Sequence, residues 1–301
     1  MEKKLTAQGP KDRKSYMVTL PIDWIKSRNL NKSRIVDMEL IGNTIVITPP
    51  SESKEQIKIE ADHFKRVIDR VLAGLYIMGI DEIKINYKDS KLLNKIIQVI
   101  KDRMLGFEIL EHSKNYLIIK SITKESNEEF KNILRRIFLL QIFLSEEILK
   151  FIKDKKTNES YEIVEYNKSL IRLANFCQRL LMKKGHVEYN KVPFYFSLCE
   201  ELKQLANVYK WIYNDIILFK DKKTNLEYIL IKLNNNLKSL YNLFYSFNID
   251  DYEKNRAEIF SLYDKLIKKR NKYSYYTISM VVRLNALYKQ TFYIKFNPEN
   301  Q

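Results

Sequence analysis

The sequence predicts an α+β protein in three consecutive parts. Residues 1–50 are rich in strand formers, residues 51–124 make a small α/β sandwich, and residues 125–301 are a helical region of about six helices. Three observations predict this. The apolar period is two at the start, mixed in the middle and a steady helical spacing afterwards. Pro49-Pro50 closes the first part. The composition, 45% hydrophobic and 30% charged, is that of a folded globular chain, and 301 residues suit about two domains.

In the first part, Ser15-Tyr-Met-Val-Thr-Leu20 is a strand that Pro21 stops. Pro21 suits the first position of a helix, because it needs no backbone donor there, and Ile22 to Arg28 is the short helix that follows. Ile35–Leu40 and Thr44–Thr48 are two strands across a tight turn at Gly42-Asn43. Fifty residues in short strands cannot bury a core alone, so this part should pair with a second copy or dock elsewhere.

In the middle part, Gln56–Glu60 and Glu82–Asn86 alternate as strands. Asp62 is the expected cap of a helix carrying Phe64, Val67, Ile68, Val71, Leu72 and Leu75. Ser90 is the expected cap of another with Leu93, Ile96, Ile97 and Ile100 on one face. Phe107–Leu110 and Tyr116–Ile119 form a closing hairpin. The helical part shows six apolar stripes, with breaks near 155–160, 185–193, 220–225, 248–251 and 271–274. Short connections make these an antiparallel bundle, or two three-helix bundles in tandem.

Several functional classes are excluded. No Gly-x-Gly and no phosphate-loop Gly-Lys-Ser/Thr occurs, so no nucleotide fingerprint is present. His63, His112 and His186, with Cys177 and Cys199, are too scattered for a zinc site or a catalytic triad, and Cys177 is expected as a buried reduced thiol. No metal, cofactor or catalytic residue is predicted, and the chain is not expected to be an enzyme. The longest uncharged apolar run, Val71–Ile80, has ten residues, where a membrane span needs about twenty. Met1–Lys14 lacks the apolar stretch of a secretory signal, so the expected compartment is the cytoplasm.

Charge points to the partner. Lys and Arg number 53 against 37 Asp and Glu, a formal net charge of +16. Such an excess favours polyanions, nucleic acid first. Residues 1–50 hold nine basic and five acidic residues, a net of +4. Lys3, Lys4, Lys11, Arg13 and Lys14 surround the first strand, and Ser15 and Tyr16 can donate to phosphate oxygens. Trp24 and Trp211 are expected to pack, and Glu200 and Glu201 to be solvated. The 20 tyrosines are assigned to composition, with no stacking role.

Lys14-Ser-Tyr-Met-Val-Thr-Leu-Pro-Ile-Asp-Trp24, with Leu30, Ile35–Leu40 and Thr44–Pro49, resembles the swapped-hairpin AbrB/SpoVT DNA-binding domain. That resemblance implies an N-terminal β-barrel made by two interlaced chains, with basic residues of one face on double-stranded DNA. The sequence departs at Lys32-Ser33-Arg34, where the family usually has Gly-Asp, which adds one positive charge and removes one negative. Tyr76–Ile83, Leu105–Ile109 and Leu134-Arg-Arg136 resemble archaeal regulators that join this domain to a PhoU-like helical region. This implies a homodimeric transcriptional regulator of the phosphate-uptake type. PhoU proteins typically bind metal through Glu-x-x-x-Asp on the third helix of each bundle. Here Lys203 and Asn207 stand at the corresponding positions, and Arg283–Leu287 also lacks the acidic pair, so the metal does not carry over.

The leading expectation is therefore a dimeric regulator that holds DNA through Lys3, Lys4, Lys11, Arg13, Lys14, Ser15, Tyr16, Lys26, Arg28 and Arg34. Its helical region would sense a ligand or partner protein. The alternatives are a PhoU-like protein-interaction adaptor and a chromatin-like coat that binds any duplex.

Overall fold

The structure is a computed structural model that describes residues 2–10, 12–41, 44–49, 57–123, 127–156, 159–185, 188–220, 226–268 and 272–297. It is α+β, and it divides into two compact units, residues 1–55 and 56–301.

The first unit contains β1 (Thr6–Gln8), β2 (Ser15–Met17), α1 (Ile22–Ser27), α2 (Leu30–Ser33), β3 (Asp37–Ile41) and β4 (Thr44–Thr48). Strands β1 and β2 pair antiparallel with Gln8 opposite Ser15, and β3 pairs with β4 with Ile41 opposite Thr44. Gly9 opens the first turn at φ +107°, where a Cβ would lie 2.8 Å from the Arg13 carbonyl oxygen, so only glycine fits. The Gly42-Asn43 turn lies outside the described residues. Pro21 precedes α1 as its cap, and its carbonyl accepts the Ile25 N–H at 3.1 Å. Helix α2 was not predicted; Asn29 and Arg34 bracket it in left-handed conformations, at φ 53° and 52°.

The expected N-terminal β-barrel takes its strands from two chains, of which the structure holds one. Among the described residues the two ribbons share no ladder, and no barrel is closed. The physical reason is strand supply: each of the four strands pairs on one side only. Leu30 is the one buried hydrophobic residue of this unit among those described.

The second unit opens with β5 (Ile57–Glu60), α3 (Ile68–Ile77), β6 (Glu82–Asn86), α4 (Ser90–Arg103), β7 (Phe107–His112) and β8 (Tyr116–Ser121). The sheet order is β5-β6-β8-β7, with β5 parallel to β6 and the other pairs antiparallel. Alternation works as read: Ile83, Ile85, Leu117 and Ile119 are fully buried, while Lys84, Asn86, Tyr116 and Lys120 take the other face. Two caps differ. Asp89, not Ser90, caps α4 by accepting the Lys91 N–H at 2.9 Å. Asp62 caps no helix; a 3₁₀ turn spans Ala61–Phe64, and the Asp62 carboxylate accepts the Lys88 N–H at 2.9 Å.

Six helices follow: α5 (Asn127–Lys153), α6 (Tyr161–Lys184), α7 (Val192–Phe219), α8 (Glu227–Tyr245), α9 (Ile249–Lys268) and α10 (Ser274–Lys295). Helices α5, α6 and α7 pack on one another, as do α8, α9 and α10, and the α7–α10 and α5–α8 contacts join the two sets. Helix α6 also lies on α3 and α4, so one hydrophobic core runs from the sheet into the helices.

A buried arginine ties these parts. Arg179 of α6 donates to the carbonyls of Tyr76 at 2.7 Å and Ile80 at 2.8 Å, and to the Asp81 carboxylate. Its guanidinium lies 5.0 and 5.2 Å from the Tyr76 and Phe107 ring centroids. Lys183 adds a bond to Asp81 at 2.7 Å, and its stem runs over Gly79, where a Cβ would lie 2.6 Å from Lys183 Cγ. Among the described residues no helix is long and apolar enough to cross a membrane.

Candidate nucleic-acid interface

The candidate residues sit on three places of the first unit. Lys3 and Lys4 lead into β1, at the open end of the first hairpin. Arg13 and Lys14 stand at its turn end, where the Arg13 N–H donates to the Pro10 carbonyl at 3.0 Å. Lys26 lies in the last turn of α1, Arg28 caps it, and Arg34 caps α2. Lys11 is outside the described residues.

Local structure explains these positions. The tight turn forced by Gly9 delivers Arg13 and Lys14 side by side, and all the described candidates are exposed. Lys26 lies at the carbonyl end of α1, where a cation is favoured. The Ser15 hydroxyl donates to the Gln8 carbonyl at 3.2 Å, so it closes the hairpin and would have to change partner to serve a phosphate. Tyr16 is 63% exposed and alternates to the other face from Ser15. The hairpin thus brings Arg13, Lys14 and Ser15 together. It keeps Lys3 and Lys4 at its opposite end.

Arg34 ends the Lys32-Ser33-Arg34 stretch, where the sequence departs from the resembled pattern. Its left-handed backbone at φ 52° is the conformation glycine adopts without cost, and the Arg34 N–H donates to the Leu30 carbonyl at 2.9 Å. Chemically the described set is a group of exposed cations at the two ends of the β1–β2 hairpin and at the ends of α1 and α2. It can neutralise phosphates, and each arginine can also fork onto a guanine edge.

The helical region carries polar groups that the sequence reading missed or misplaced. Lys203 bonds Asn175 Oδ1 at 3.0 Å and Gln178 Oε1 at 2.9 Å, and pairs with Glu200 at 2.7 Å. Burial alone would raise the Glu200 pKa, but the Lys203 charge and hydrogen bonds from Lys203, Gln204 and Gln178 bring it below its ordinary value. The Glu200 side chain stays 40% exposed, as expected of a solvated acid, whereas Glu201 is 17% exposed and pairs with Arg283 of α10 at 3.1 Å. The two positions read as lacking acids, Lys203 and Arg283, therefore neutralise α7 acids by ion pairing. Trp211 is 43% exposed, against the expectation that it packs. Several tyrosines are core residues with polar partners: Tyr209 donates to Asn234 Oδ1 at 2.7 Å and Tyr288 to the Asn236 carbonyl at 3.0 Å. Cys177 and Cys199 are both buried and free. Among the described residues no three His, Cys, Asp or Glu side chains converge as a metal site would require.

No family model matches the chain. No solved structure matches it either. A RING finger protein of Plasmodium falciparum is 26% identical over 207 residues, which cover 62% of this chain and 16% of that protein. The chain thus spans a small part of that relative's length, and the likeness assigns no family.

Proposed function

We propose that this chain is a dimeric DNA-binding regulator of transcription. Its first fifty residues interlace with those of a second copy, as in AbrB/SpoVT domains, and hold duplex DNA through Lys3, Lys4, Lys11, Arg13, Lys14, Lys26, Arg28 and Arg34. The helical region, PhoU-like in its two sets of three helices, senses a ligand or partner.

The observation that carries this reading is the uncovered apolar surface of the first unit. Leu5, Ile35, Met38, Leu40 and Ile45 are 57–76% exposed, while among the described residues of this unit Leu30 alone is a buried hydrophobic. Two free ribbons with that surface call for a second chain. The RING finger likeness supports no zinc-dependent role, because two cysteines and three histidines cannot supply the paired Cys/His ligand sets of such sites.

The test is fluorescence anisotropy of the full-length protein on its own promoter duplex and on a scrambled one, across salt. The regulator reading expects preference for the promoter and a steep fall of log affinity with log salt. Removing two phosphate contacts in Arg13→Gln/Lys14→Gln should lower the slope by about two. Equal binding to both duplexes would favour the coat protein, and no binding would leave the unit as a dimerisation module. Light scattering should give twice the 36.1 kDa chain mass.

A second reading, the protein-interaction adaptor, rests on a patch of the helical region. Trp211, Leu218 and Phe219 lie on one face of α7 and Tyr275 on the adjoining α10; they are 43, 72, 56 and 72% exposed. A pull-down that requires residues 126–301 but not 1–50 would select it.

A further inference from the structure

Helices α6 and α7 pack on each other, and hydrogen bonds between them fix their register. Asn167 Nδ2 donates to the Ala206 carbonyl at 3.1 Å, Lys203 to Asn175 Oδ1 at 3.0 Å, and Gln178 Nε2 to the Phe196 carbonyl at 3.4 Å. Residue numbers rise on α6 as they fall on α7, so the helices run antiparallel and Cys177 stands opposite Cys199. The buried positions repeat this register. Ala174, Cys177 and Leu181 recur on α6 at steps of three and four, and Tyr195, Cys199 and Leu202 on α7 at steps of four and three. Run antiparallel, the two series set Ala174 by Leu202, Leu181 by Tyr195 and cysteine by cysteine.

Both cysteines are fully buried free thiols. Burial, and after it a hydrogen bond and charge from Cys199, raise the Cys177 thiol above its ordinary range, so the two sulfurs are neighbours. The axes of packed helices lie about 8–10 Å apart and each Cα about 2.3 Å from its axis, which brings facing Cα atoms within roughly 6 Å. A disulfide asks for about 4.4–6.8 Å, so the helices need not move to accept one.

We propose that Cys177 and Cys199 are an intrachain disulfide site, closed by a small-molecule disulfide oxidant while the chain folds. The thiolate of one cysteine attacks the oxidant's sulfur–sulfur bond, which breaks and releases one thiol. The thiolate of the other then attacks the mixed disulfide, and the second thiol leaves. The two cysteines lose two electrons and two protons, and the oxidant takes up both. Burial sets the timing: the folded protein encloses both sulfurs and holds the Cys177 proton, so attack belongs to the chain before α6 and α7 have closed on each other. The bond ties α6 to α7 across their connection, two residues from the Arg179 that holds the α3–β6 turn. In a reducing compartment the pair stays a dithiol in the same fold.

The experiment uses the full chain, unfolded in urea under reduction, freed of reductant and refolded either with reduced and oxidised glutathione or with dithiothreitol. Iodoacetamide then blocks free thiols, and the intact mass is read. The glutathione-refolded monomer should be lighter than the reduced chain by two hydrogens, carry no iodoacetamide, and release on proteolysis one cross-linked fragment pair holding Cys177 and Cys199. It should melt about 5–10 °C above the dithiothreitol-refolded protein, with the same far-UV circular dichroism. Cys199→Ala should abolish that difference. Reduced protein that is already folded should form the bond about tenfold more slowly in the same glutathione buffer. Two free thiols after glutathione refolding, a bond between chains instead of within one, or a cross-linked monomer that melts no higher than the reduced protein would overturn the site. Equal rates for the folded and the refolding chain would overturn closure during folding.

Discussion

Replacing Arg179 by Met should destabilise the second unit by about 3–5 kcal/mol, the range for breaking a buried ion pair. The side chain is 1% exposed and makes bonds of 2.7 and 2.8 Å to the Tyr76 and Ile80 carbonyls besides its pair with Asp81. Methionine fills much of the volume but leaves the Ile80 carbonyl without its donor, at about 1–3 kcal/mol when nothing replaces it, while the Tyr76 carbonyl keeps the Gly79 N–H at 3.1 Å. Asp81 is 18% exposed and keeps Lys183 at 2.7 Å, so the lost charge pairing adds less than a fully buried carboxylate would. Arg179→Lys keeps the charge but not the fork that spans three acceptors, and should cost about 2–3 kcal/mol. Urea unfolding followed by far-UV circular dichroism is the assay, because most of the helix lies in this unit. With a slope of about 3 kcal/mol/M, the Met variant should lower the midpoint by roughly 1–2 M at unchanged slope. A shift under about 0.3 M would refute the reasoning, because it would mean that water replaces the guanidinium and that α6 does not depend on it to hold the α3–β6 turn.

Three further outcomes follow from particular residues. Arg34→Gly should relieve the left-handed strain at φ 52° and raise the stability of the first unit by about 0.5–1 kcal/mol, while weakening DNA binding and lowering its salt slope by about one; thermal melts and anisotropy read the two opposite effects. The Tyr195 pKa is pushed up to about 12, first by burial and then by the charges of Glu188 and Cys199. Because the folded state holds that proton more tightly than an unfolded tyrosine near 10, its contribution is complete below pH 10 and is lost as pH rises through about 12. Melting temperatures should therefore fall from about pH 10 upward, and less steeply in Tyr195→Phe. Burial also pushes the Cys177 thiol up. Ellman's reagent should label neither cysteine in the native protein and both once it is denatured; rapid native labelling would contradict the buried placement.

The helices were legible because each carries a long run of one period. The α8 stripe from Leu226 to Phe244 and the α7 stripe from Leu198 to Ile216 are buried where the spacing put them. Errors fell at ends and polar partners. Ser90 and Asp89 are both capping types, and the choice between them depends on backbone angles one residue apart. Asp62 was drawn away by the Lys88 N–H, which is 26 residues distant and comes near only when β5 and β6 align. Glu200 and Glu201 read as surface acids because Gln178 and Arg283, which tie them to the bundle, lie on other helices. Trp211 shows the opposite failure: an aromatic near an apolar stripe was assigned to the core, yet sits at the edge of the helix face.

The candidate interface was legible as chemistry more than as geometry. Charge counting found Lys3, Lys4, Arg13 and Lys14, but the hairpin register separates the first pair from the second. It also gives the Ser15 hydroxyl to Gln8.

By itself the sequence determined the α+β class, the six C-terminal helices, the alternation of the sheet and the sign of the charge. All of these follow from residues near one another in the chain, where propensity and period act directly. Only the tertiary structure decided that Arg179 bridges α6 to the α3–β6 turn and that Lys203 and Arg283 neutralise acids of α7. Those facts depend on contacts between segments many residues apart. Which polar group meets which is set by how packed elements register against each other, and no local pattern encodes it.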